Sequence, residues 1–154
     1  MNTMVFQIWI DADACPVPIK NLVFRAANRL EIQVTLVANS YLSKPQSPWV
    51  QVVQVEKGFD VADHVILERM QAGDLVVTQD VPLAAEVVSL DGYAINPRGT
   101  WYDKQSVAAH LRRRNEREQL REAGLVSGGP APFSAKDTQT FAKHLDQFLA
   151  KHLQ

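Results

Sequence analysis

Asp11 and Asp13 follow directly on the apolar run MVFQIWI (residues 4–10), in the stretch DADACP. Aspartates at the mouth of a segment that reads as core call for a reason, and the chain holds others to join them. Asp80 closes a second apolar run in DLVVTQD, with Thr78 two residues before it, while Asp60 and Asp63 open a helical pattern after VEKGF. Carboxylates gathered without basic partners repel one another, and a divalent cation relieves that repulsion. Oxygen ligands alone select Mg²⁺ or Mn²⁺ over zinc. Zinc finds no matching spacing: the one cysteine, Cys15, has no CxxC partner, and His64, His110, His144 and His152 form no HExxH. A hard-metal site of this kind commonly activates water against a phosphodiester or phosphate, which makes phosphoryl chemistry the leading class.

The elements that must position these residues are legible as runs rich in Val, Ile and Leu. Five strands are expected, over 4–10, 32–38, 50–55, 74–78 and 92–96. Helical patterns follow the first (PVPIKNLVFRAANRL), third (DVADHVILERMQAG) and fourth (VPLAAEVVSLDG), whereas NSYLSKPQSP between the second and third reads as a surface loop. The alternation implies βαβ units, hence a parallel sheet with helices on both faces. Ligands of such a sheet bind beyond the carboxyl ends of its strands, near the point where strand order reverses. The five aspartates come from three junctions expected on that edge. Asp11 and Asp13 point the same way if the strand continues briefly, and Asp60 and Asp63 share one face of a first helical turn. Capping is the competing explanation: Asp60 as N-cap with Asp63 as its capping-box partner, and Asp11 or Asp13 as cap of the helix near Pro16.

Punctuation fits these boundaries. Pro16 and Pro18 suit a first helical turn, and Gly73 and Gly92 sit where left-handed caps are expected. KQSVAAHLRRRNEREQLREAG is a strongly charged helical segment ending at Gly124, with only Val107, Leu111 and Leu120 as notable apolar positions. LVSGGPAPF reads as a linker, and a last helix opens on Ser134 and Asp137 spaced as a capping box, with Phe141, Leu145, Phe148 and Leu149 on one apolar face.

At 154 residues and 46% hydrophobic content the chain is expected to form one domain, its core over about 1–103 and a C-terminal helical extension over about 104–154. A net charge of -1 argues against a charge-driven, histone-like binder. The lone cysteine excludes an internal disulfide framework, no secretory pattern opens the sequence, and no apolar run approaches the roughly 20 residues of a membrane span. A soluble, cytoplasmic protein is expected, with an oligomeric state that the sequence leaves open.

In DADACPVPIK, VEKGFDVADHVILERMQAGDLVVTQDVPLA, NPRG and GGPAPFSAKD the chain resembles, over nearly its whole length, the bacterial YaiI/YqxD family, which is grouped with the PIN-like nucleases. The resemblance implies a three-layer α/β/α PIN-like domain with a mainly parallel five-stranded sheet in the order 3-2-1-4-5. It implies Mg²⁺- or Mn²⁺-dependent phosphodiester hydrolysis, on RNA rather than DNA. The aspartate at the end of the first strand then matches Asp11, with Asp13 an additional neighbour typical of the family. The acidic residue of the middle helix matches Asp63 or Asp60, and that after the fourth strand Asp80, with Thr78 as the supporting hydroxyl. On this reading Asp11, Asp63 and Asp80 hold the metal, Asp13 is a further ligand or a water-orienting base, and Thr78 fixes a carboxylate or water. PIN domains usually add another acidic residue shortly after the fourth strand. The nearest here, Glu86 inside the helix and Asp91 at its far end, match that position poorly, a departure that bears on a second metal.

Two other classes compete. Asp11, Asp13 and Thr78 loosely fit the motifs of haloacid-dehalogenase phosphatases, which also need a later lysine and acidic pair; Lys104 is the nearest lysine after Thr78, and the acids are scattered with no clear DD or GDxxxD. A non-catalytic RNA- or partner-binding module is the other. Lys20 and Arg25 are placed to meet a phosphate if their helix faces the cleft, Asn39 and Ser40 to line its rim, and Arg98 and Lys104 to lie near the fifth strand's mouth. Arg112, Arg113, Arg114, Arg117 and Arg121 could track a nucleic-acid backbone, but interspersed Glu116, Glu118 and Glu122 favour a solvated face laced with ion pairs. Trp9 is expected in the core, Trp49 and Trp101 as loop anchors, and Cys15 as a packed or metal-adjacent thiol.

Overall fold

IWID, the end of the first apolar run, forms strand β1 (Ile8–Asp11) at the centre of the sheet, and its alternation sorts the core into two halves. The structure, a computed structural model, describes residues 6–58, 60–125 and 131–153. Most of the LVSGGPAPF linker lies outside the described residues. After β1 come helix α1 (Val17–Leu30), strands β2 (Val34–Ala38) and β3 (Val50–Gln54), helix α2 (Val61–Arg69) and strand β4 (Leu75–Val77). Helix α3 (Val81–Ser89), strands β5 (Tyr93–Ile95) and β6 (Trp101–Tyr102), and helices α4 (Val107–Glu122) and α5 (Ala135–His152) complete the chain.

The fold is mixed α/β, with a mostly parallel sheet ordered β3-β2-β1-β4-β5-β6. The expected succession of five strands is contained in it, but the five-strand count is corrected by β6, which pairs antiparallel with β5 at the edge. Asn96 makes that turn: its backbone N–H donates to Thr100 O, and its side-chain oxygen accepts from the backbone of Arg98 and Thr100. Gly99 is required there, because its φ is 91° and a Cβ would stand 2.9 Å from the Phe141 nitrogen. The NPRG motif is therefore a hairpin turn seated on α5.

Ile8, Ile10, Leu75 and Val77 face α1 and α5, meeting Ile19, Val23, Phe141 and Leu145. Trp9, Val37 and Val76 face the other way, onto Ile66 of α2 and Leu83 and Val87 of α3. Each fully buried aliphatic side chain contributes roughly 1.5–3 kcal/mol relative to exposure. The capping box of Ser134 and Asp137 and the buried face Phe141, Leu145, Phe148 and Leu149 of α5 are as expected. Gly73 is left-handed as expected (φ 92°), whereas the left-handed residue before β5 is Asp91 (φ 65°) rather than Gly92. Gly92 sits in a tight place instead: a Cβ would stand 2.9 Å from Val87 Cγ1 and 3.3 Å from Asp74 O, and would displace the end of the Met70 side chain. Among the described residues no helix is long and apolar enough to cross a membrane.

Candidate functional site

The chain moves from β1 through β2 to β3 on one side, then crosses to β4 on the other, so strand order reverses between β1 and β4. Asp11 ends β1 at that point, and Thr78 and Asp80 follow β4. The Thr78 hydroxyl donates to Asp11 Oδ2 at 2.8 Å and accepts from the Asp80 backbone N–H at 2.9 Å. Thr78 is itself buried, and so holds the two junctions in one register. Asp80 caps α3 through Oδ1, which accepts from Leu83 N at 3.0 Å. Burial pushes the Asp11 carboxyl above its usual range; the Thr78 bond opposes this, and the charges of Asp80 and Asp13 add to it.

One carboxylate oxygen from each of Asp60, Asp63 and Asp80 lies within 4.8 Å of the other two. Asp60 stands at the N-cap position of α2 but makes no side-chain capping bond, and its backbone is left-handed at φ 62°. The capping-box explanation of Asp60 and Asp63 therefore fails here. A non-glycine residue is held in that region at a cost in backbone strain, and here the Asp60 side chain meets Asp63 rather than the amides of the helix. Burial pushes Asp63 up to about 7, with the charges of Asp80, Asp11 and Asp60 and a hydrogen bond with the Asp60 side chain acting in the same direction. None of the three is ion-paired among the described residues. Three hard oxygen donors with uncompensated charge fit Mg²⁺ or Mn²⁺ by donor chemistry.

Asp13 departs from its expected direction. A 3-10 turn (Ala12–Ala14) ends the strand at once, so the i, i+2 relation to Asp11 no longer sets a common face. Its Oδ2 accepts from Asn39 N at 2.8 Å and its Oδ1 from the Ser40 hydroxyl at 3.1 Å, fastening the end of β2 to the turn after β1. Lys20 and Arg25 line neither cleft at this edge. Lys104 is not at the mouth: its ammonium lies 2.7 Å from Asp91, between the end of α3 and the start of β5, on the opposite edge of the sheet. Cys15 is buried, and burial pushes its thiol up to about 12, so it is a packed and unreactive group.

Glu86, a poor match from sequence because it lies inside a helix, lines a small cleft of about 70 Å³ together with Asp60 and Asp63. Two features escaped the sequence reading altogether. Asp74 is buried and accepts from Gln7 N, Gln71 N and the Trp9 indole at 2.9–3.0 Å. A larger cleft of about 500 Å³ adjoins Asp80, lined by Gln79, Val81, Asn96, Arg98 and one face of α4. Arg98 is a wall of that cleft, paired with Asp137 at 3.0 Å and donating to Ala131 O.

A family model described as "Uncharacterized BCR, YaiI/YqxD family" matches residues 9–151. A UPF0178 protein of Burkholderia lata is 53% identical over 146 residues, covering 95% of this chain and 97% of that one. Another from Aeromonas salmonicida is 54% identical over 144 residues, covering 94% and 96%. No solved structure matches the chain.

Proposed function

The chain belongs to the YaiI/YqxD family, and we propose that it is a divalent-metal-dependent phosphodiesterase of PIN-like fold acting on RNA. The observation that carries this reading is the convergence of Asp60, Asp63 and Asp80 within 4.8 Å, beside Asp11, at the carboxyl edge of a parallel sheet. Asp60, Asp63 and Asp80 would hold Mg²⁺ or Mn²⁺, with Asp11 next to them and Glu86 facing the same cleft. The cation would supply a water of lowered pKa and neutralise charge on the phosphate. Asp80 stays oriented because one of its oxygens is held by the amide of Leu83. Thr78 keeps Asp11 aimed by a hydrogen bond that also favours its charged form. Asp13 acts at one remove, positioning Asn39 and Ser40 on the rim.

The phosphatase alternative is less well supported, because the lysine it needs would be Lys104, which is paired on the far edge. The test compares wild type with Asp80→Asn and Asp63→Asn on labelled single- and double-stranded RNA and DNA, with Mn²⁺, Mg²⁺ or EDTA. Metal-dependent cleavage that both substitutions reduce at least 100-fold is expected. Equal activity in all three proteins would mean a contaminant, and folded but inert wild type on every substrate would overturn the reading.

A further inference from the structure

Helix α4 presents an oddity. It runs for 16 residues without a single buried side chain, so apolar burial does little to hold it against the domain. From α4 the cleft is lined by His110, Arg113, Arg114, Arg117, Glu118 and Arg121. The histidine and the arginines stand at i, i+3, i+4, i+7 and i+11, one stripe along a helix, with Glu118 at its margin. The solvated face expected from the interspersed glutamates is there, residues 112–122 being exposed, but its pairing is sparse: on this helix only Arg114 and Glu118 pair, at 3.3 Å, among the described residues. Arg117 and Arg121 have no acidic partner there, and Arg113 contacts the His110 ring at 3.0 Å. Desolvation, and next the charge of Arg113, hold the His110 imidazole below its usual range.

The stripe is continuous with the acidic mouth. Gln79 and Val81, the neighbours of Asp80, line the same cleft. Tyr102 bridges the two, its ring edge-on to His110 at 4.9 Å and its hydroxyl bonded by Asn96 at 3.3 Å. Burial pushes the Tyr102 phenol up; the Asn96 bond opposes this, and Asp80 adds to it across the intervening space. A row of cations thus leads toward a cluster of anions. The ligand suited to such a groove has repeated negative charge that the arginines can hold while one unit reaches the carboxylates.

We infer that the α4 stripe binds the phosphate backbone of single-stranded nucleic acid and delivers it to the Asp80 edge. This assignment rests on the phosphodiesterase reading for what happens at that edge, but not for binding itself. Guanidinium groups spaced along one helix face can engage successive phosphates, and Asn96 and Arg98 wall the other side of the cleft they line. Phosphate contacts carry no sequence information, so RNA and DNA single strands share the recognition chemistry.

The experiment measures binding of fluorescein-labelled single-stranded 12-mers of RNA and DNA and of a 12-base-pair duplex. It uses EDTA, to keep cleavage out, and several salt concentrations. Wild type is compared with the triple variant Arg113→Gln, Arg117→Gln, Arg121→Gln, and with Lys136→Gln, Lys143→Gln, Lys151→Gln, which removes the same charge from α5. The arginine variant should bind single strands at least tenfold more weakly, with a salt slope shallower by about 2 for three lost phosphate contacts. The lysine variant should bind within about twofold of wild type, the residual reflecting only long-range charge. Equal loss in both variants, no loss in either, or a preference for duplex would overturn the inference. Hydrolysis of bis(4-nitrophenyl) phosphate by wild type with Mn²⁺ reports separately on the metal centre. Binding without hydrolysis would sink the phosphodiesterase reading and leave the stripe, and hydrolysis without arginine-dependent binding would do the reverse.

Discussion

Thr78 joins Asp11 across 67 residues of sequence by a 2.8 Å hydrogen bond, and the same hydroxyl accepts from the Asp80 amide at 2.9 Å. One buried oxygen thereby sets the distance between the ends of β1 and β4. Thr78→Val keeps the shape and removes both bonds, leaving the Asp11 carboxylate and the Asp80 N–H without this partner. A loss of about 1–3 kcal/mol is expected from chemical denaturation. Since the Thr78 bond opposes the upward push on Asp11, its removal should also move the acid limb of any metal-dependent pH–rate profile to higher pH. Thr78→Ser should restore both properties, and an unchanged profile in Thr78→Val would separate Asp11 from the chemistry.

The raised carboxyl of Asp63 gives a stability test in the absence of metal. A folded-state pKa of about 7, against the ordinary 3.8, means that the folded protein binds the proton more tightly than the unfolded chain. This group's favourable contribution is full at pH below the ordinary value and is lost as pH rises through about 7. The Tm measured in EDTA should therefore fall between pH 5 and pH 8, and Asp63→Asn should flatten that fall. Bound Mn²⁺ requires the deprotonated carboxylates, so its thermal shift should be larger at pH 8 than at pH 5 and small in Asp63→Asn. A Tm independent of pH in wild type would remove the case for a strained acidic cluster.

Asp74 offers a contrast at the other edge of the sheet. Its two oxygens serve three donors, from Gln7, Gln71 and the Trp9 indole, in a place closed to water. Asp74→Ala leaves those donors unpaired, at a cost on the order of 3 kcal/mol or more in urea denaturation. The Mn²⁺-induced rise in Tm should survive in this variant. Loss of the metal response along with stability would mean that the two edges of the sheet are coupled.

The first five strands were legible because they sit in apolar runs, most of them separated by helical periodicity. β6 was not, because Trp101–Tyr102 is too short to carry a period, although the NPRG turn before it was in view. Asp60, Asp63 and Asp80 could be gathered from sequence because strand ends share an edge. Side-chain direction could not: the 3-10 turn that swings Asp13 onto Asn39 and Ser40 has no period to betray it. The arginine stripe was hidden by composition. Counting glutamates among the arginines suggested pairing, whereas helical spacing puts Arg113, Arg117 and Arg121 on a face that only one of those glutamates, Glu118, shares.

Asp13 supplies the sharpest test of how that edge divides its labour. Both of its oxygens are engaged, by the Asn39 amide and the Ser40 hydroxyl, while Asp63 and Asp80 keep carboxylate oxygens within 4.8 Å of one another and of Asp60. Asp13→Ala should release the end of β2, raising KM for a polynucleotide several-fold while leaving the apparent affinity for Mn²⁺, read by calorimetry or thermal shift, within about twofold because no ligand oxygen is lost. Asp63→Asn should do the opposite and weaken Mn²⁺ at least tenfold, since it removes a charged donor and not a positioning contact. Loss of metal affinity in Asp13→Ala equal to that in Asp63→Asn would make Asp13 a ligand and refute the positioning role drawn from its hydrogen bonds.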